Sequence, residues 1–151
     1  SGGMGAEISL ALTRAGIGQS TYIAIGGDLI IGTTFVEILA LFEADPETKC
    51  VMMFGEPGTA REEEAAEFIV SGGFTKPDVA MIPGEFLESL ETPAPTSHTG
   101  ALIERGVGAP SAKKRLLREA GARVAERFSE IVPLVREALE DREALENSAA
   151  G

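Results

Sequence analysis

The chain has one cysteine, one histidine, one tyrosine and no tryptophan in its 151 residues. One cysteine excludes a disulfide framework within the chain. One cysteine with one histidine also excludes the common Cys/His zinc sites. The longest apolar runs, such as Leu29-Ile30-Ile31 and Cys50 to Phe54, are far too short to span a bilayer, so no membrane partner is expected. No cationic leader precedes an apolar stretch at the start, and no signal peptide is expected. The expected compartment is reducing: the cytoplasm, or the mitochondrial matrix in a eukaryote. Basic residues are scarce. Thirteen Lys and Arg against 24 Asp and Glu leave a net charge of −11. Such a chain repels phosphate backbones, which argues against nucleic acid as a partner. Familiar catalytic loops are absent too. No Lys follows a Gly, so there is no Walker-type phosphate loop, and neither Gly-x-Gly-x-x-Gly nor Gly-x-Ser-x-Gly occurs. Alone, the chain is not expected to hold a nucleotide in a known loop or to act as a serine hydrolase.

What is present suffices for one folded domain. Hydrophobic residues make up 44% of the chain, enough for a real core. The charge is uneven, with −8 in residues 1–75 and −3 in residues 76–151. The second half holds a basic cluster, Lys113, Lys114, Arg115 and Arg118. It reads first as a solvated helix face, and alternatively as a contact for an anionic cofactor or an acidic partner.

Helices and short strands alternate along the chain. A helix is expected from Ser1 to about Ala15, ended by Gly16 and Gly18. Tyr22 to Ile25 reads as a strand stopped by Gly26-Gly27-Asp28. Thr34-Phe35-Val36-Glu37 has capping-box spacing and opens a helix to about Ala44, broken by Asp45-Pro46. Cys50 to Phe54 is a strand without alternation, as for a parallel strand covered on both faces. Thr59 to Glu62 repeats the capping-box spacing before a helix to about Val70. A strand is expected from Pro77 to Ile82, then an irregular loop over 85–109. The remaining elements are a helix from Ser111 to Ala120, a weak edge strand at Ala122 to Val124, and a helix capped by Ser129 through about Leu145. The tail from Asn147 should fray. This alternation predicts an α/β domain with a parallel sheet covered on both faces. A glycine-rich helix start usually follows a strand in such a fold, so a further strand is expected ahead of Ser1.

Ligands gather at the carboxyl ends of strands in open α/β sheets. Here those ends are Gly26-Gly27-Asp28, Gly55-Glu56-Pro57-Gly58 and Pro83-Gly84. His98 lies in the long loop among small residues, Thr96-Ser97-His98-Thr99-Gly100-Ala101. A lone histidine is most often structural or simply exposed. Its setting favours chemistry, because imidazole can take and release a phosphoryl group near neutral pH. Cys50 reads as core.

The run from Gly18-Gln19-Ser20-Thr21 through Gly26-Gly27-Asp28 to Gly32-Thr33-Thr34-Phe35 resembles the α subunits of succinyl-CoA synthetases. So do Asp45-Pro46, Gly55-Glu56-x-Gly58, Glu62-Glu63-Glu64-Ala65-Ala66, Thr75-Lys76-Pro77 and His98-x-Gly100-Ala101-x-Ile103. Together they cover about residues 1–140. Ser97 and Pro57 depart from the family's usual Gly and aliphatic residue. The resemblance implies a flavodoxin-like three-layer ligase-CoA domain over residues 1–146, with residues 147–151 as tail. It implies that His98 becomes phosphohistidine and that Glu56 accepts a hydrogen bond from its imidazole. The phosphate would rest against backbone N–H groups of Ser1, Gly2, Gly3, Gly100 and Ala101. It implies an acid–CoA ligase forming ADP or GDP, whose CoA, ATP or GTP, and Mg are held by a CoA-binding Rossmann domain and an ATP-grasp β subunit, with a small carboxylic acid as substrate. This domain alone should bind none of them and should be inactive. The rival expectations are a related malate, citrate or acetate ligase, and a flavodoxin-like assembly module without catalysis.

Overall fold

Three short segments form a parallel sheet in the order β1-β2-β3: Val51–Phe54 (β1), Asp78–Met81 (β2) and Arg123–Ala125 (β3). The register pairs Val51 with Asp78 and Phe54 with Met81, then Val79 with Arg123 and Met81 with Ala125. The computed structural model describes residues 2–28, 30–89 and 108–149. Five helices accompany the strands: Gly2–Arg14 (α1), Phe35–Ala44 (α2), Arg61–Val70 (α3), Pro110–Glu119 (α4) and Ile131–Ala149 (α5). Short 3-10 turns occupy Glu85–Ser89 and Phe128–Glu130.

Side chains on a strand alternate between the two faces of its sheet. Val51, Met53, Ala80 and Ile82 pack with Leu39, Ala65, Phe74 and Leu117 beneath α2, α3 and α4. Val79 and Ala125 pack with Ile8, Leu12, Ile131, Val135 and Ala138 beneath α1 and α5. Helices therefore cover both faces, the flavodoxin-like three-layer arrangement with a parallel sheet. Each fully buried Leu, Ile or Phe, such as Leu117, Ile82 and Phe74, contributes about 1.5–3 kcal/mol relative to exposure.

Thr34 forms the expected capping box. Its hydroxyl accepts the Glu37 N–H at 3.2 Å, and Glu37 accepts the Thr34 N–H at 2.8 Å. The second expected capping box does not form. Ala60 is the N-cap of α3, without a side-chain cap bond. Glu62 is instead buried and turned toward the carboxyl end of β1, where an ammonium and a backbone N–H claim it. The edge strand at β3 is present, shifted by one residue from its expected bounds. Ser129 lies inside a 3-10 turn and does not cap α5, which runs to Ala149, past the expected end near Leu145. Pro133, the third residue of α5, sits where no intrahelical N–H is required.

The strand expected at Tyr22 to Ile25 is not part of the sheet. Val51 and Gly55 donate to Pro77 and Met81, so Met52 and Phe54 turn their backbone groups away from β2. Tyr22 to Ile25 and β1 both line an apolar cavity of about 490 Å³ and do not pair across it. Apolar composition alone makes no strand. A ladder needs a neighbour within hydrogen-bond reach.

Asp78, at the start of β2, is buried, and its Oδ2 has no hydrogen-bond partner among the described residues. Burial pushes its carboxyl up from 3.8 to about 6, with Arg123 opposing. A raised pKa means that the fold prefers the protonated form. Asp78 therefore costs stability as pH rises through this window. Relative to Asp78→Asn, the wild type should lose stability between about pH 4 and pH 6 in denaturant titrations. A difference that stays constant across that range would refute this. Cys50 is half-buried against the α1/α5 core, and burial, then Asp78 beside it, push its thiol up to about 12. It stays a protonated packing residue.

Candidate functional site

The carboxyl end of β1 carries the turn Gly55-Glu56-Pro57-Gly58. Its backbone is held from below by one ammonium. Lys113, on α4, is fully buried and donates to the carbonyls of Glu56 at 3.0 Å and Gly58 at 2.6 Å. It also pairs with Glu62 Oε2. The other Glu62 oxygen accepts the Glu56 N–H at 3.0 Å. Burial pushes the Glu62 carboxyl up, and the Lys113 ammonium pulls against that. Glu63 Oε2 stands 3.6 Å from the same ammonium.

Glu63 reaches the far end of the 90–107 segment as well. Its Oε1 accepts the Gly108 N–H at 3.1 Å, and the Gly108 carbonyl accepts the Gly58 N–H at 2.8 Å. Gly108 has a φ of 79°, and a Cβ there would meet the Gly58 Cα at 2.8 Å. Only glycine lets these two backbones meet. The near end of the segment is fastened beside it. Glu88 accepts the Ser111 N–H at 2.8 Å and the Ser111 hydroxyl at 2.7 Å, at the first turn of α4. Lys114 binds Glu85 at 2.9 Å and Glu126 at 2.6 Å.

The Gly26-Gly27-Asp28 turn closes on the same edge. Arg61, the first residue of α3, donates to the carbonyls of Gly26 and Asp28. Gly27 is buried directly against the Glu56 carboxylate and has no room for a Cβ. Two other loops, at Gly26 to Asp28 and at Gly108, therefore meet the turn that carries the half-buried Glu56.

Among the expected site residues, Glu56 thus stands at a built position. Gly2 and Gly3 form the first turn of α1, where the Gly2 carbonyl accepts the Tyr22 hydroxyl at 2.8 Å. None of the contacts described above joins them to Glu56. Ser1, His98, Gly100 and Ala101 lie outside the described residues. The basic cluster divides. Lys113 and Lys114 are buried and not presented to an outside anion, because carboxylates of this chain neutralise them: the buried Glu62 for Lys113, the exposed Glu85 and Glu126 for Lys114. Arg115 and Arg118 are exposed, paired with Glu119 and Glu126. Sequence reading missed Lys113 and Glu62. The available signal was a Glu that follows the Gly-Glu-x-Gly turn by four residues, with a lone Lys pair on a later helix.

No group of three or more metal-binding side chains occurs among the described residues. The 490 Å³ cavity is lined mostly by apolar groups, with Lys49 as its one cationic side chain, and does not suit a polyphosphate.

Residues 1–125 match the CoA-ligase family. The ADP-forming succinate–CoA ligase subunit alpha 1 of Archaeoglobus fulgidus is 48% identical over 140 residues, 93% of this chain and 46% of that protein. A subunit of an ADP-forming sulfoacetate–CoA ligase from an Acholeplasma species is 40% identical over 137 residues, 91% of this chain and 45% of that protein. A solved ATP citrate lyase from Methanosaeta concilii, in complex with (3S)-citryl-CoA, is similar with a TM-score of 0.73. It is 28% identical and covers 78% of this chain and 19% of that chain. The chain spans about half the length of the curated relatives it matches. A family match over most of the chain, on a three-layer parallel fold, shows that it belongs to the CoA-ligase family.

Proposed function

We propose that this chain is the phosphohistidine-bearing domain of an acid–CoA ligase of the succinate–CoA ligase α-subunit type, and that His98 carries a phosphoryl group between nucleotide and carboxylate. One observation carries the reading. Glu56 sits on a clamped turn at the carboxyl edge of the sheet, and Gly108, which follows the segment holding His98, is bonded to that turn, while Glu88, ahead of the segment, is bonded to the start of α4. Neutral imidazole attacks the terminal phosphorus of the nucleoside triphosphate through its bare nitrogen. The N–P bond forms as the bond to the diphosphate breaks. The ring then carries positive charge, and its remaining N–H donates to Glu56, whose carboxylate offsets that charge. The substrate carboxylate next takes the phosphoryl group, the N–P bond breaks, and neutral His98 returns. The CoA thiol displaces phosphate from the acyl phosphate and leaves the thioester.

Ser1, Gly2 and Gly3 at the α1 start, with Gly100 and Ala101, supply N–H groups to the phosphate. The first-turn N–H groups of a helix lack intrahelical partners and form the positive end of its dipole. CoA, and ATP or GTP with Mg, belong to the rest of the full enzyme, a Rossmann domain and an ATP-grasp subunit in the cytoplasm. The slot between Tyr22 to Ile25 and the open edge of β1 supports the expectation of one further parallel strand in the domain. No helix among the described residues is long and apolar enough to cross a membrane.

Glu56→Gln keeps the size and one acceptor but removes the charge. In the full enzyme it should slow phosphohistidine formation about ten- to a thousand-fold, the range of one oriented polar group. The melting temperature should hardly move, because a half-exposed turn carboxylate contributes little to stability. A normal rate with a lowered melting temperature would assign Glu56 to the fold instead.

A further inference from the structure

We propose that Lys113 is a positioning residue for phosphoryl transfer, a buried ammonium that fixes the turn from which the Glu56 carboxylate stands. The inference rests on the phosphohistidine reading above. Lys113 Nζ holds the two carbonyls that flank Pro57, those of Glu56 and Gly58. The side chain of Glu56 leaves the backbone within this clamp, so the clamp determines where its carboxylate stands. Through Glu63, which lies 3.6 Å from the ammonium and accepts the Gly108 N–H, the same charge reaches the end of the 90–107 segment. The Gly58 N–H bond to the Gly108 carbonyl closes the ring. One cation thus holds the Glu56 turn directly and Gly108 through Glu63.

The arrangement has a stability alternative. A buried ion pair often contributes little beyond what an apolar pair of the same volume would supply. If fold stability were its only role, a neutral replacement of both partners would serve. Such a replacement would not restore the two bonds to the carbonyls of Glu56 and Gly58. Glu56 then loses its fixed position, and a misplacement of about 1 Å can slow a reaction on the order of a hundred-fold.

The test uses the full ligase and labelled nucleoside triphosphate. Lys113→Met alone leaves Glu62 buried without its cation and is read for folding. The working variant is Lys113→Met with Glu62→Gln, which removes both charges. It should fold, keep its KM for nucleotide, and form phosphohistidine about ten- to a hundred-fold more slowly at saturation. Added to Glu56→Gln, it should slow the reaction little further, because residues that act through one another are not additive. Wild-type rates in the double variant would overturn the proposal. So would a full multiplication of its effect onto Glu56→Gln, since a purely structural residue acts independently of Glu56. If the double variant does not fold, Glu56 and Lys113 are joined only through stability, and the proposal is rejected. Failure of the underlying reading looks different: the wild type then acquires no label, or His98→Asn keeps it.

Discussion

His98→Asn should abolish the covalent phosphate of the full ligase and leave the fold intact. The wild type, given nucleoside triphosphate labelled at its terminal phosphate, should acquire a label that survives alkali and is lost in acid. That pattern is the signature of a phosphorus–nitrogen bond to imidazole. Asparagine is polar and of similar reach, but its amide nitrogen shares its lone pair with the carbonyl and is no nucleophile. The expected label in the variant is therefore background. Folding should be preserved, because the described contacts on either side of residues 90–107, Glu88 with Ser111 and Glu63 with Gly108, do not involve His98. A variant that still gains label, or a label stable in acid and lost in alkali, would place the phosphate on another residue and end the proposal.

Lys113→Met should destabilise the domain more than any surface change. The side chain is fully buried, and methionine fills its volume well. What is lost is charge and four partners: two carbonyls and two carboxylates. Glu62, only 2% exposed, is left as a buried carboxylate without a cation. Removing one member of a buried pair typically costs about 3–5 kcal/mol. For a domain of this size the melting temperature should fall on the order of 10 °C. The loss should be largest at neutral pH, where Glu62 would have to be charged, and smaller in acid, where it can take a proton. Adding Glu62→Gln should recover much of it. An unchanged melting temperature in Lys113→Met would show that the cluster carries no stability.

Much of the fold was legible in the chain. The continuous apolar run from Cys50 to Phe54 announces a buried parallel strand, since a strand covered on both faces has no reason to alternate, and the strand expected over Pro77 to Ile82 contains the observed Asp78–Met81. The Thr34/Glu37 capping box is a local event, complete within four residues, and it formed as read. The Thr59/Glu62 spacing is equally regular, and it failed because Glu62 has a stronger partner 51 residues away in Lys113. Local pattern yields to a buried charge that only the folded chain brings near. The same reason explains the basic cluster. On a helix wheel Lys113 and Lys114 look solvated, and no local signal records that α3 supplies the carboxylates of Lys113, or that Glu85 and Glu126 supply those of Lys114.

For Glu56 the division is similar. Its place after a strand, in a Gly-Glu-x-Gly turn, was readable because turns between strand and helix follow short-range rules. Its rigidity was not, because that comes from α4, from Gly27 across the edge and from Gly108 beyond the loop. By itself, then, the sequence determined the layer order, the places of β1, β2 and, to within one residue, β3, the acidic and cysteine-poor character, and the residue types available for phosphoryl chemistry, all of which depend on composition and near neighbours. Tertiary structure alone decided which charges are buried, which turn is clamped, and that Tyr22 to Ile25 stands unpaired. Each of these requires groups far apart in the chain to meet within hydrogen-bond reach, and periodicity along a sequence carries no such distance.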